Sequence, residues 1–267
     1  MKPNKHIERS GQDSTKIFDD RNLIDDYRTL IPLLKKGMTV LDVGCGTGAI
    51  TKDIAAIIGE SGKITGIDNT EDFITSGKES YKSYKNLELI HIDLFTYEPT
   101  GKFDLIISAR VLQWLNNPKE ALIQMKSLLK PNGLISILDY NHKAIVWNPM
   151  PPESMQSFYQ TFLQWREDAG MNNQMAEDLP ELLTEAGFQS VEKINADELY
   201  KRENADFKSK AGIWSKVAVS KQMVEEGYLD DVLRLKAIEE YNHWVDNIGI
   251  FMEMKLNEVR GKNDASE

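Results

Sequence analysis

The stretch that most constrains this chain is Thr39 to Ala49, which reads Thr-Val-Leu-Asp-Val-Gly-Cys-Gly-Thr-Gly-Ala. Thr39 to Val43 is a short apolar run rich in β-branched residues, the pattern of a fully buried parallel strand. Three glycines at alternate positions follow, and a helical pattern resumes from Ala49 to Ile58. Glycine tolerates positive φ and lets a ligand approach the backbone closely. A strand, a glycine turn and a helix N-terminus together present free backbone N–H groups at one point. A ligand is therefore expected where the first strand ends. The remaining segments alternate strand-like and helix-like patterns, which predicts an α/β chain with a mostly parallel sheet.

The loose dinucleotide pattern G-x-G-x-x-G/A fits Gly44, Gly46 and Ala49. Two details pull away from a nicotinamide cofactor. Asp42 sits two residues before the first glycine, where a carboxylate repels a pyrophosphate and suits a cation. Gly48 adds a third glycine in strict alternation, and no Gly-Lys-Ser/Thr follows at P-loop spacing. The run Leu41-Asp42-Val43-Gly44-Cys45-Gly46-Thr47-Gly48 resembles the first motif of the class I S-adenosylmethionine-dependent methyltransferases. That resemblance implies S-adenosylmethionine as cofactor, with Asp42, Gly44, Cys45, Gly46, Thr47 and Gly48 at its site.

Further candidates lie at successive strand ends. Lys63 to Ile67 reads as the second strand and ends in Asp68-Asn69. An acid there grips a ribose diol in open α/β nucleoside sites; capping the next helix, Glu71 to Tyr84, is a compatible second role. Leu87 to Ile92 reads as the third strand, followed by Asp93-Leu94. The resemblance implies that Asp93 meets the adenine amino group and the Leu94 backbone meets the ring. His91, inside that strand, reads as a packed or surface residue. Phe103 to Ser108 is the fourth strand, and Ala109 and Arg110 complete the expected cofactor set. Pro118 to Lys130 reads as a helix closed by Pro131-Asn132-Gly133, and Leu134 to Tyr140 as the fifth strand. Val111 to Leu115 and Leu129 to Leu134 resemble segments of the trans-aconitate and quinone-pathway methyltransferases. The resemblance covers roughly residues 36–140.

Two long connections interrupt the pattern. After the fifth strand comes a turn-rich connector, then Met155, Phe158, Tyr159, Phe162 and Leu163 at i, i+3, i+4, i+7 and i+8, an amphipathic helix ending in Trp165 and Arg166. The stripe fits a core better than a ligand pocket. Asp178 to Gly187 reads as a helix, Ser190 to Ile194 as the sixth strand, and residues 205–248 as a second helical insertion. Phe251 to Leu256 alternates like a last strand, antiparallel if the family likeness holds. Residues 14–34 have helical spacing and a broad apolar face. The expected fold is a three-layer α/β sandwich, Rossmann-like, with a mostly parallel seven-stranded sheet and helical lid insertions. The whole of 1–267 is expected to be one methyltransferase domain. Its core is about 36–140 plus 178–200 and 249–260; the lid comes from 1–35, 141–177 and 201–248.

Composition narrows the partners. The 267 residues include 32 Lys plus Arg and 42 Asp plus Glu, a net charge of −10, with no long basic run. A nucleic-acid substrate is disfavoured, and the local basic stretch 201–216 fits a solvated helix face. No apolar run approaches a membrane span, residues 1–10 lack a signal-peptide core, and the single Cys45 fits a reducing cytoplasm. No metal site is read. The resemblance implies methyl transfer to a small-molecule acceptor, at oxygen, nitrogen or carbon. His142, just past the fifth strand, is the one candidate general base, although a lone packed or solvent-facing histidine is the reading that fits it better. Arg110 suits a carboxylate, and Arg110, Trp114, His142 and Trp147 are the expected acceptor-facing residues. Cys45, inside the cofactor loop, fits a small packed residue rather than a nucleophile. The Asp/Asn-Pro-Pro-aromatic motif of amino-methylating DNA enzymes is absent after the fourth strand, and one cysteine is too few for thiol-dependent arsenic methylation. The alternatives are a nicotinamide-dependent oxidoreductase and a cofactor-binding regulator without turnover.

Overall fold

The structure is a computed structural model that describes residues 21–264. The expected start of the N-terminal helix and the part of the expected lid in residues 1–20 lie outside the described residues. The chain divides into two compact units. One comprises, of the described residues, 21–139, Met175–Ala196 and 257–264, and carries the glycine stretch. The other comprises Tyr140–Gln174 and Asp197–Leu256.

The sheet runs in the order β3-β2-β1-β4-β5-β8-β6, with β7 pairing on β8. Its strands are β1 (Thr39–Val43), β2 (Lys63–Asp68), β3 (Leu87–His91), β4 (Phe103–Ala109), β5 (Leu129–Asn148), β6 (Gln189–Asn195), β7 (Glu198–Lys201) and β8 (Phe251–Lys262). β1 lies parallel to β2 and β4, β2 to β3, and β4 to β5. β8 is antiparallel to β6 and β7. The expected seven strands are all present, and the short β7 is an eighth. The apolar runs of β1 and β4 are buried through most of their length, as a central strand covered on both faces requires.

In the first unit, α2 (Ala49–Ile58) and α3 (Glu71–Ser80) are the crossovers that make parallel pairing possible, and α4 (Pro118–Leu128) and α6 (Met175–Glu185) complete the helical layers. Their apolar faces, including Leu122, Met125, Leu179 and Leu183, share one core with Leu41, Ile106 and Ile135 of the sheet. Within the described part of the expected N-terminal helix there is a single α-turn, α1 (Leu23–Asp26), followed by a 3₁₀ stretch, Arg28–Leu33. Asn22 caps that turn by accepting from the Asp25 amide. Tyr27 leaves the helical region at φ −153°, and Pro32 lacks the donor that a longer helix would use. The apolar face survives the change: Leu23, Tyr27 and Leu30 are all buried.

β5 is much longer than expected. It begins at Leu129 because Pro131-Asn132-Gly133 does not separate helix from strand. Leu129 pairs with Phe103 and Leu134 with Leu105, so the Pro-Asn-Gly stretch bulges out of the ladder, with Asn132 at φ +64°.

The second unit contains the ends of β5 and β8, the strand β7, and the helices α5 (Glu153–Asp168), α7 (Phe207–Ala211), α8 (Ile213–Ala218), α9 (Gln222–Glu225) and α10 (Asp231–Asn247). The stripe Met155, Phe158, Tyr159, Phe162 and Leu163 is buried as core, and Trp165 and Arg166 are buried with it. Arg166 lays its guanidinium 5.4 Å from the Phe162 ring and donates to the Asn173 amide oxygen at 2.7 Å.

Candidate functional site

The glycine stretch forms the floor of a cleft lined by Arg21, Asp42, Gly44, Cys45, Gly46, Ala49, Ile50, Ile107 and Ala109. It lies at the carboxyl ends of β1 and β4, the edge at which open α/β sheets bind ligands. Asp68 and Asn69 end β2 and Asp93 follows β3; Asp68 pairs in register with His91, so the acids expected at the three strand ends share one edge of the sheet.

The loop differs from the expected array of free amides. Gly44 N–H and Cys45 N–H both donate to the Ile67 carbonyl, at 2.8 and 3.1 Å, and Gly48 N–H donates to the Cys45 carbonyl at 3.0 Å. Gly46 N–H donates to Asp68 Oδ2 at 2.9 Å. The Gly44, Cys45 and Gly46 amides therefore hold the loop onto β2, and the Gly48 amide closes the turn within the loop. The glycines serve conformation and clearance. Gly44 has φ +73°, and a Cβ there would lie 2.4 Å from Val111 Cγ2. Thr47, expected at the cofactor, is buried within the fold, and its carbonyl oxygen lies 2.1 Å from where a Cβ on Gly77 would be. Gly77 is thus the point at which α3 closes on the loop.

Asp42 is 4 % exposed, and its Oδ2 accepts from the Thr51 hydroxyl of α2 at 2.7 Å. Its other oxygen accepts from none of the described residues. Burial, opposed by the Thr51 hydrogen bond and reinforced by the nearby Asp68 carboxylate, pushes the Asp42 carboxyl up to about 7. Cys45 is not an activated nucleophile: burial, then the Asp42 and Asp68 charges, push its thiol well above the usual range.

Asp68 accepts from Gly46 N–H with one oxygen and from Thr70 N–H with the other, the second also at 2.9 Å. A carboxylate has about four acceptor positions, so two remain for ribose hydroxyls. Asp93 is exposed and opens a 3₁₀ turn, Leu94–Thr96, by accepting from the Phe95 amide at 2.8 Å. Leu94 is buried and Asn69 is exposed.

Arg110 does not fit the carboxylate-binding role expected of it. Its backbone is left-handed at φ +63°. Its guanidinium is buried, donates to the Asp26 carbonyl at 3.0 Å and lies 3.8 Å from the Asp26 carboxylate. The segment before Tyr27 thus consumes this cation inside the fold. Trp114 is half-buried, and its indole N–H donates to the Arg110 carbonyl at 3.1 Å. Ala109 keeps its place in the cleft wall.

In the other unit, His142 and Trp147 share a neighbour. Tyr159 donates its hydroxyl to the His142 carbonyl at 2.7 Å, and its ring meets Trp147 edge-on at 5.1 Å. The Trp147 indole N–H donates to the Tyr241 hydroxyl at 3.1 Å. His142 also meets Phe162 and Trp214 edge-on. Burial and then the positive Arg166 hold its imidazole well below the usual histidine range. His142 is therefore a neutral ring in an aromatic core and not a base poised near pH 7.

A cleft with a buried carboxyl, a loop whose glycine amides turn inward and acids at the next strand ends is suited to a cationic nucleoside. The family profile described as "Methyltransferase domain" matches residues 34–187. The chain belongs to the class I S-adenosylmethionine-dependent methyltransferase family. This methyltransferase chain is 32% identical over 136 residues to a malonyl-[acyl-carrier protein] O-methyltransferase of Ilyobacter polytropus, covering 49% of this chain and 52% of that protein. It spans only about half the length of that relative. It is 28% identical over 176 residues to a demethylmenaquinone methyltransferase of Staphylococcus aureus, covering 59% of this chain and 70% of that one. Among solved structures, a phosphoethanolamine N-methyltransferase 2 of Haemonchus contortus, in complex with phosphomonomethylethanolamine and S-adenosylhomocysteine, superposes with a TM-score of 0.58. That likeness covers 95% of this chain and 58% of the other at 15% identity, and shows the fold. The nicotinamide alternative gains no support from these matches. Among the described residues no helix is long and apolar enough to cross a membrane.

Several residues of the cleft and its frame escaped the sequence reading, Thr51, Gly77, Val111 and Arg21 among them. Thr51 carries the signal of a hydroxyl one helical turn beyond the last glycine. Gly77 carries the signal of a glycine inside a helix. Val111 and Arg21 carry none, because their roles depend on contacts remote in sequence.

Proposed function

We propose that this chain transfers a methyl group from S-adenosylmethionine to a small-molecule acceptor. The observation that carries the reading is the Asp42 carboxyl, buried in the cleft with one oxygen unused, above a loop whose glycine amides turn inward. That buried carboxyl favours a cation. Asp42, Gly44, Cys45, Gly46 and Gly48 would hold the methionine portion, with Thr47 supporting the loop from beneath. Asp68 and Asn69 would hold the ribose, Asp93 and Leu94 the adenine, and Ala109 the cleft wall. The bound cofactor supplies an electrophilic methyl carbon, so the protein's tasks are alignment and exclusion of water. The buried His142 is not poised as a base, which suits an acceptor that is already nucleophilic or loses its proton to solvent.

The relatives are named for a carrier-protein-bound malonyl group and for demethylmenaquinone, so family membership leaves the acceptor open. We assign acceptor recognition to the segments 141–177 and 201–248, which carry His142 and Trp147 and stand apart from the segments that build the cleft. The net charge of −10 and the single cysteine support a cytoplasmic enzyme without a nucleic-acid substrate. Incubation of the purified protein with S-adenosylmethionine and a panel of quinones, phenols, amines and carboxylic acids should give acceptor-dependent release of S-adenosylhomocysteine. Cofactor binding with no turnover on any acceptor would favour a regulator instead.

A further inference from the structure

Asp42 is an expensive carboxylate to keep charged while the cleft holds only water. It is nearly fully buried, and the one described donor to it is neutral, the Thr51 hydroxyl on α2. Asp68 brings a second buried carboxylate from β2. Cys45 in the loop and Tyr27 in the N-terminal segment face Asp42 as neutral groups, a thiol and a phenol that burial keeps protonated. The β4 wall contributes Ile107 and Ala109, and Arg21 lines the same cleft. Each unit of pKa change corresponds to a tenfold difference in preference between the two protonation states. A cation entering such a site favours the ionised carboxyl.

Resting on the S-adenosylmethionine reading above, we propose that Asp42 gives up its proton when the cationic methyl donor enters the cleft, so that cofactor binding and Asp42 ionisation are one coupled event. Asp42 is then a donor-positioning residue whose charge is supplied on demand. The empty protein keeps a neutral carboxyl and the loaded protein a carboxylate opposite a cation. No bond other than O–H changes; the proton passes to solvent.

The test is calorimetry of S-adenosylmethionine binding in two buffers of different ionisation enthalpy at several pH values. With the carboxyl at about 7 in the empty cleft, about half a proton per cofactor should be released from it at neutral pH and about one at pH 5.5. The release should vanish near pH 8.5. Affinity should rise about tenfold per pH unit below neutrality and level off above it. An α-amino group titrates at about pH 7.7–8.0, so the carboxyl's share is read between about pH 5.5 and 6.5, where that ammonium stays charged, as the difference between wild type and Asp42→Asn. Asp42→Asn should abolish that part of the release. Thr51→Val, which removes the hydroxyl favouring the carboxylate, should move the release window to higher pH. Proton release that is absent in the wild type, or unchanged in Asp42→Asn, overturns the inference. Binding without proton exchange sinks the inference alone; failure to bind the cofactor at any pH sinks the functional reading and the inference with it.

Discussion

Asp68 carries more of the fold than a ribose contact alone would suggest, and its removal should show this without any ligand. Its two oxygens accept from Gly46 N–H and Thr70 N–H, both at 2.9 Å, and the residue is only 8% exposed. A hydrogen bond to a charged acceptor contributes about 1.5–3 kcal/mol. The Thr70 amide is partly solvated and recovers water when the carboxylate goes; the Gly46 amide is buried and does not. The two bonds share one side chain and do not add fully, so Asp68→Ala should cost the ligand-free protein about 2–4 kcal/mol. Asp68→Asn retains one acceptor oxygen but turns an NH₂ toward the second amide, and should fall between. Urea denaturation of the three ligand-free proteins measures the stability, and calorimetry with S-adenosylhomocysteine measures the affinity. A further loss of about ten- to a hundredfold in affinity is expected for Asp68→Ala, from the ribose hydroxyls. A folded Asp68→Ala protein as stable as wild type would refute the bracing role. Normal stability with lost affinity would leave the ribose contact as its sole task.

Three further outcomes follow from the same geometry. Gly77→Ala places a Cβ 2.1 Å from the Thr47 carbonyl oxygen, an overlap with backbone, and should destabilise by about 1–3 kcal/mol; an unchanged melting temperature would mean α3 does not hold the loop. In the ligand-free protein Asp42 keeps its proton up to about pH 7, whereas the unfolded chain loses it near pH 4. The native state therefore binds more protons between those values, and stability falls as pH rises through that window. Asp42→Asn escapes this loss, so its stability relative to wild type should grow from pH 4 to 7 and be greatest near pH 8, by at most on the order of 3–4 kcal/mol; a difference independent of pH would contradict the burial argument. His142, held well below its ordinary range by burial and Arg166, should show no imidazole titration by NMR between pH 6 and 8; a midpoint near 6.5 would restore it as a candidate base.

The sequence was most legible where function rests on contiguous residues. The glycine stretch, the strand ends at Asp68 and Asp93, and the bounds of α2 follow from short-range pattern and backbone chemistry. It was least legible where a partner lies far along the chain. The loop amides turn inward because the Ile67 carbonyl and Asp68, more than twenty residues on, reach them first. Arg110 is spent on Asp26, 84 residues earlier, so its charge is unavailable to a substrate. The Pro-Asn-Gly stretch carried a correct local signal for irregular backbone. Whether it ended a helix or bulged from a strand was decided by β4, which pairs with β5 on both sides of the stretch, with a register shift across it. His142 looked like a base because a lone histidine carries no mark of burial in sequence; Phe162, Trp214 and Arg166 supply the environment that removes that role.

The central claim is that the cleft above Gly44, Gly46 and Gly48 is built for a cationic nucleoside sulfonium and not for a dinucleotide. The most direct measurement is titration calorimetry of the purified protein with S-adenosylmethionine, S-adenosylhomocysteine and NAD under one set of conditions. The account predicts saturable one-to-one binding of the first two and no measurable heat from NAD. NAD binding as tight as, or tighter than, either of them would contradict it.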